Sequence, residues 1–178
     1  MTDLSGKKVA FVATDGYEDS ELTEPWRALT EAGAELTMIA PEPGEIEGKK
    51  RHRQRVDRVT ADVDASEFDA LVLPGGVVNA DHLRMNEPAV RFARGFFDAR
   101  KPVGVICHGA WLLVEADVVR GRTMTSYPSL RTDLRNAGAE WVDREVVVDE
   151  GLVTSRRPDD LPAFNAKLVE EVGEGRHT

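Results

Sequence analysis

Apolar and polar positions along this chain switch repeatedly between a period of two and a period near 3.6, which marks out strands and helices in turn. The run "KKVAFVATDG" reads as a strand closed by Asp15-Gly16, and "DSELTEPWRALTEAG" as a helix with Asp19 or Ser20 as N-cap and Gly33 as its stop. "AELTMIAP" is a second strand, closed by Pro41. A basic stretch, "KKRHRQR" from Lys49 to Arg55, follows "PEPGEIEG" and precedes the strand-like alternation "VDRVTADVD"; it reads as a solvated hairpin with exposed cations.

The pattern continues with "FDALVLPGG", a buried strand ending in a glycine pair. "NEPAVRFARGFFDARK" is a helix whose apolar positions Val90, Phe92, Ala93, Phe96 and Phe97 approximate one face, with Pro88 in its first turn. "PVGVIC" is a further strand and "HGAWLLVEADVV" a helix after it. The remainder predicts a short strand at "RTMTS", a helix at "SLRTDLRNAG", strand pairs at "EWVDREVVVD" and "GLVTS", and a final helix from about Pro158 to Val172. Near-continuously apolar strands separated by helices predict an α/β fold with a mainly parallel sheet covered on both faces. No repeat, low-complexity tract or linker divides residues 1–178, so one domain is expected.

Composition narrows the function classes. A formal net charge of -9 argues against nucleic acid or an anionic membrane as a stable partner. No apolar run approaches ~18 residues, and the N-terminus lacks a signal-peptide cleavage pattern. The single cysteine forms no intramolecular disulfide, which fits a reducing, cytoplasmic setting, and it removes multi-cysteine zinc patterns. Neighbouring Cys107 and His108 are poorly placed to share one ion, and no His-x-x-x-His pair exists, so neither metal nor cofactor is expected.

In open parallel sheets the site lies beyond the carboxyl ends of the strands. Here those ends read "TDGYED", "LPGG" and "CHG". A lone cysteine is commonly a packing residue. Cys107, however, stands where a strand gives way to a helix, a turn that exposes its central side chain and favours thiolate. Gly109 supplies the close approach and the permissive backbone such a turn needs. The N-H of His108 and the Gly75-Gly76 pair are candidate oxyanion donors. Among Glu18, Asp19 and Glu21, any one would suit a desolvated carboxyl that donates a hydrogen bond to sulfur, the other two being caps or dipole partners. Side chains adjacent around a turn point apart, so His108 is not expected to need contact with the thiol within one subunit. Asp81 and His82 lie in a loop that could orient the imidazole from elsewhere, including another subunit.

The ordered blocks "YEDSEL", "FDALVLPGG", "KPVGVICHG", "RGRTMTSYP", "NAGAEWVD", "EVVVD" and "TSRRPDDLPAF" resemble the PfpI-type intracellular protease and deglycase family, in the superfamily of the parkinsonism-associated protein deglycase. The resemblance runs from about Lys8 to Leu168. It implies a flavodoxin-like α/β sandwich, Cys107 as nucleophile, Glu18 as its carboxyl partner, His108 beside it, and Gly76 and His108 as oxyanion donors. It further implies Tyr127 as a pocket-lining residue, a homodimer or hexamer, and an acidic residue from a neighbouring subunit orienting the histidine. In this chain the corresponding stretch carries Asp81 and one extra residue. The implied activities are glutathione-independent glyoxalase action, removal of early methylglyoxal or glyoxal adducts from protein and nucleotide, intracellular proteolysis with a Cys-His-Asp triad, and stress protection, including a redox-sensing or chaperone role. Kinship extends to class I glutamine amidotransferases, but this chain has no His-x-Glu pair and Val105 stands where their first elbow glycine would be.

Overall fold

The computed structural model describes residues 2–177. Eleven strands and six α-helices alternate in the following order: β1 (Lys8–Val12), α1 (Asp19–Glu31), β2 (Glu35–Ala40), β3 (Glu45–Glu47), β4 (Arg53–Arg55), β5 (Arg58–Val59), β6 (Ala70–Leu73), α2 (Val77–Leu83), α3 (Glu87–Asp98), β7 (Val103–Ile106), α4 (Ala110–Glu115), β8 (Thr123–Met124), α5 (Arg131–Asn136), β9 (Glu140–Trp141), β10 (Val147–Asp149), β11 (Leu152–Ser155) and α6 (Leu161–Glu174). Seven strands form the main sheet in the order β10-β11-β7-β6-β1-β2-β5. Every pairing in it is parallel except that of β10 with β11.

The sheet divides the core in two by the period-two rule. Ala10, Val12, Leu71, Leu73, Val103 and Val105 face one cluster, filled by α3, α4 and α5 through Phe92, Phe96, Leu112, Leu113 and Leu134. Val9, Phe11, Ala70, Val72 and Ile106 face the other, filled by α1 and α6 through Leu22, Leu29, Phe164 and Leu168. Both faces of β1, β6 and β7 are therefore apolar, as parallel strands under two helical layers must be. Gly104, at the middle of β7, lets α6 come close: a Cβ there would lie 2.7 Å from Leu168 Cδ1.

Several elements differ from the sequence reading. The alternation in residues 56–64 supports only the two-residue β5, after which the chain turns through a 3-10 segment at Thr60–Asp62. The helix after β7 stops at Glu115, because Asp117 turns left-handed at φ 55°. The stretch after Gly75-Gly76, expected as a loop, is the helix α2. Helix α1 begins at Asp19 with Glu18 at its N-cap, since the Asp19 carboxylate is occupied elsewhere, accepting hydrogen bonds from the N-H groups of Lys50 and His52. The basic run does form a hairpin, β3 with β4.

Phe11 is fully buried on β1, an inner strand of the sheet, and packs 4.9 Å, centroid to centroid, from Trp26 of α1. Phe11→Ala is expected to cost about 3–5 kcal/mol in urea-induced unfolding. A loss below about 1 kcal/mol would show that the α1 face carries little of the core.

Candidate functional site

The carboxyl ends of β1, β6 and β7 meet at one edge, and the three connections leaving them pack against one another. Ile106 ends β7 in extended conformation, and Cys107 then turns left-handed at φ 62°, opening the 3-10 turn Cys107–Gly109 that leads into α4. A non-glycine residue held there stores about 1–3 kcal/mol of backbone strain, which the surrounding packing must hold in place. Gly109 itself is right-handed, at φ -54°. Its lack of a side chain serves closeness instead, since a Cβ would meet Leu73 O at 2.8 Å and Pro74 O at 3.0 Å.

The left-handed turn brings Cys107 and His108 together, a contact the sequence left open. Cys107 Sγ lies 3.2 Å from His108 Nδ1 within one chain. The reversal at Cys107 folds the imidazole back over the thiol, and aromatic neighbours hold it there. Tyr127 stacks on the ring at 4.7 Å, and Trp111 meets it edge-on at 5.3 Å. Tyr127 N-H also donates to Cys107 O at 3.2 Å, tying the stacking residue to the turn. The other ring nitrogen, Nε2, faces Ser129 Oγ at 3.4 Å.

The carboxyl beside the thiol belongs to Glu21, whereas the resemblance pointed to Glu18. Glu21 is fully buried, and its Oε1 accepts a hydrogen bond from Gly75 N-H at 2.9 Å. A Cβ at Gly75 would sit 2.4 Å from that same oxygen and 2.6 Å from Cys107 Cβ, so the acid and the cysteine flank one glycine. Glu18, its side chain 13% exposed, pairs instead with Lys50 Nζ at 3.2 Å and Lys49 Nζ at 4.0 Å. The helix period accounts for the difference. Glu21 shares the buried face of α1 with Leu22, Pro25 and Leu29, while Glu18 precedes the helix. That i, i+4, i+8 spacing of Glu21, Pro25 and Leu29 was the available signal.

The glycine pair divides its work. Gly75 N-H is taken by Glu21, and Gly75 O accepts from Glu18 N-H at 3.2 Å. Gly76 N-H and His108 N-H both point at the Cys107 sulfur. Gly76 is left-handed at φ 98°, and a Cβ there would lie 2.4 Å from Gly16 O, so the residue must be glycine on both counts. Asn79, which the sequence reading passed over, locks this edge. Its Oδ1 accepts from Thr14 N-H at 2.7 Å, and its Nδ2 donates to Gly75 O at 2.9 Å and Pro74 O at 3.1 Å. Asp81 and His82 lie on α2 with their side chains exposed, and among the described residues no contact links Asp81 to His108.

Electrostatics follow from burial. Burial, with the Glu18 charge adding to it, pushes the Glu21 carboxyl up to about 8. Burial and then the Glu21 charge push the thiol up to about 12, against the pull of the Gly76 and His108 N-H groups. Burial, reinforced by Lys49, lowers the His108 imidazole below its ordinary value. Near neutrality the site thus holds a protonated carboxyl, a thiol and a neutral imidazole whose Nδ1 is free to accept. Such an arrangement can move a proton from sulfur to nitrogen while sulfur bonds to an electrophilic carbon. Away from this edge, Glu171, Glu174 and His177 bring three potential metal-ligating atoms within 4.8 Å of one another.

Because the folded Glu21 binds its proton more tightly than the unfolded chain does, it contributes stability that is full at low pH and lost as the pH rises through about 8. The melting temperature is expected to fall between about pH 5 and about pH 8, and Glu21→Gln to flatten that fall. Calorimetric scans across this range check it; parallel curves for the two proteins would mean that Glu21 is ionised in the fold.

Comparison with known proteins identifies the family and the fold. Residues 7–171 match the DJ-1/PfpI family. Protein/nucleic acid deglycase 2 of Escherichia coli K12 is 46% identical over 170 residues, covering 94% of this chain and 98% of that protein. YraA of Bacillus subtilis strain 168, provisionally named a cysteine protease, is 47% identical over 164 residues, covering 92% of this chain and 96% of that protein. A crystal structure from Anabaena variabilis, a two-domain protein with DJ-1/ThiJ/PfpI-like and ferritin-like domains, superposes with a TM-score of 0.91 at 37% identity. That match covers 94% of this chain and 48% of the Anabaena chain, so this chain spans about half of that protein's length.

Proposed function

We propose that this chain, which belongs to the DJ-1/PfpI family, is a cysteine-dependent glyoxalase and deglycase acting on methylglyoxal, glyoxal or their early adducts without glutathione. The observation that carries the reading is Cys107 on its strained left-handed turn, with Sγ 3.2 Å from a neutral His108 Nδ1 and beside the buried acid Glu21. An aldehyde carbon is the electrophile that suits this trio: it is small enough for a nearly closed site, and the oxygen it leaves behind needs the N-H groups of Gly76 and His108.

In this mechanism Sγ bonds to the aldehyde carbon of methylglyoxal as the thiol proton passes to His108 Nδ1. The carbonyl electron pair moves onto oxygen, which takes the proton back and leaves a neutral hemithioacetal. Starting from an adduct, the amine leaves with a proton and the same hemithioacetal forms. His108 then removes the proton on the former aldehyde carbon, while Glu21 protonates the neighbouring carbonyl oxygen. His108 returns its proton to the adjacent carbon while the hydroxyl on the sulfur-bearing carbon gives its proton to the Glu21 carboxylate, which yields the isomeric lactoyl thioester and restores both groups. Water hydrolyses that thioester, breaking the Sγ–C bond, releasing lactate and restoring the thiol. Glu21 takes the donor role for which the resemblance named Glu18. The peptidase alternative calls on Asp81 of a neighbouring copy. Within one chain His108 is already set against the thiol by Tyr127 and Trp111, and the aldehyde reading alone is carried forward. A single cysteine with no disulfide partner supports a reducing, cytoplasmic setting for this chemistry.

The test is lactate formation from methylglyoxal in glutathione-free, amine-free buffer, comparing wild type with Cys107→Ser. The variant is expected to lose at least about 100-fold in rate, since a hydroxyl is a far poorer nucleophile near neutral pH. Equal rates would end the mechanism. Activity is expected to rise with pH as His108 loses its proton and to decline near pH 8 as Glu21 loses its own. A wild-type profile with no decline at that pH would remove Glu21 from the donor role.

A further inference from the structure

The basic hairpin is the feature that this chemistry leaves unused. Its tip is fastened to the segment that frames the thiol. Lys49 N-H donates to Tyr17 O at 2.8 Å, and Lys50 and His52 N-H donate to the two Asp19 oxygens at 2.9 Å each. The buried Tyr17 hydroxyl donates to His52 O at 2.8 Å. Tyr17 and Glu18 in turn touch the left-handed glycine beside the sulfur, since a Cβ on Gly76 would lie 2.8 Å from both Tyr17 Cα and Glu18 N. A rigid path therefore leads from the hairpin tip to the Cys107 pocket.

The charges at the end of this path are cationic. The ammonium groups of Lys49 and Lys50, on side chains 68% and 70% exposed, reach Glu18 at 4.0 and 3.2 Å. One carboxylate faces two ammonium groups, so a positive charge is left over at the lip of the site. The two ammonium groups are exposed above a carboxylate that is only 13% exposed, so they can turn toward an incoming anion while Glu18 stays beneath them. The field of Lys49 also reaches the catalytic groups, acting on both His108 and Glu21. On a chain of net charge -9, the two ammonium groups form a local cationic spot beside the site, on a hairpin whose first strand carries Glu45 and Glu47.

We propose that Lys49 and Lys50 form an anion subsite at the lip of the Cys107 pocket and make the site select adducts whose carrier bears a phosphate, such as a glycated mononucleotide, over neutral ones. This rests on the aldehyde reading of Cys107 and adds to it the feature of the substrate that is recognised away from the reacting carbon. The phosphate group shares the two ammonium groups with Glu18, while the adducted carbon lies against the sulfur.

The experiment compares the methylglyoxal adducts of guanosine and of guanosine 5′-monophosphate, following adduct loss by chromatography to obtain kcat/KM for each. At low ionic strength the wild type is expected to prefer the phosphorylated adduct by about 5- to 10-fold, and added salt to erode that preference, as screened surface charges require. In the double variant Lys49→Gln, Lys50→Gln the ratio is expected to fall to about one. Equal kcat/KM for the two adducts in the wild type, or a preference that survives the double substitution, would overturn the proposal while leaving the aldehyde chemistry standing. Binding is read separately as protection of Cys107 from iodoacetamide by unmodified guanosine 5′-monophosphate and by guanosine. Protection by the phosphorylated compound alone, lost in the double variant, supports the subsite even if neither adduct is turned over, an outcome that would count against the proposed function. Equal protection by both compounds, or none by either, counts against the subsite.

Discussion

One carboxyl group, that of Glu21, is buried where three strand ends converge, and the site is arranged around keeping it there. Its Oε1 is held by Gly75 N-H, its other oxygen accepts no hydrogen bond, and the cysteine packs against the same side of that glycine. An ionised carboxylate in that position would lack most of its hydration, so the group keeps its proton into neutral conditions. A protonated acid, unlike a carboxylate, can sit beside sulfur as a donor. The proton inventory of the whole edge follows from that burial.

The backbone is shaped to the same end. A left-handed cysteine is costly, and it persists because the turn it opens is fixed on every side. Gly109 packs onto the carbonyls of Leu73 and Pro74, Tyr127 N-H holds Cys107 O, and Asn79 ties the end of β1 to the glycine pair after β6. These are contacts of backbone to backbone or of a buried amide to backbone, which move little once formed. The strain is concentrated at the one residue whose side chain must project at the end of its strand.

The rim is built on a softer principle. The hairpin tip is positioned by backbone donors on Asp19 and Tyr17, but its charged ends are exposed and loosely paired. Rigid hydrogen-bonded framing inside and mobile charge outside separate the chemistry from the selection of what enters, because short-range geometry fixes reacting atoms while long-range charge biases the approach.

The alternating apolar periods are enough to set the α/β class, the parallel sheet and the edge at which the site lies. Period-two apolar runs broken by helical faces leave few other ways to bury "VAFV", "ALVL" and "VGVI", and ligand sites in such sheets lie beyond the strand ends. The sequence also singled out Cys107, His108 and Gly76, because a lone cysteine after a strand and a glycine pair after its neighbour are local signals. How side chains from different connections meet was settled by the packing of the folded chain. Three acids lie within four residues after β1, and which of them turns inward depends on how α1 rotates against β6 and β7, a packing outcome that local spacing only hints at. The contact of His108 with the thiol depends on a left-handed φ at Cys107, a conformation that local propensity disfavours and that the surrounding packing imposes. The helix at Val77–Leu83 and the docking of the basic hairpin beside the site were likewise set by contacts distant in sequence, with Asn79, Tyr17 and Asp19.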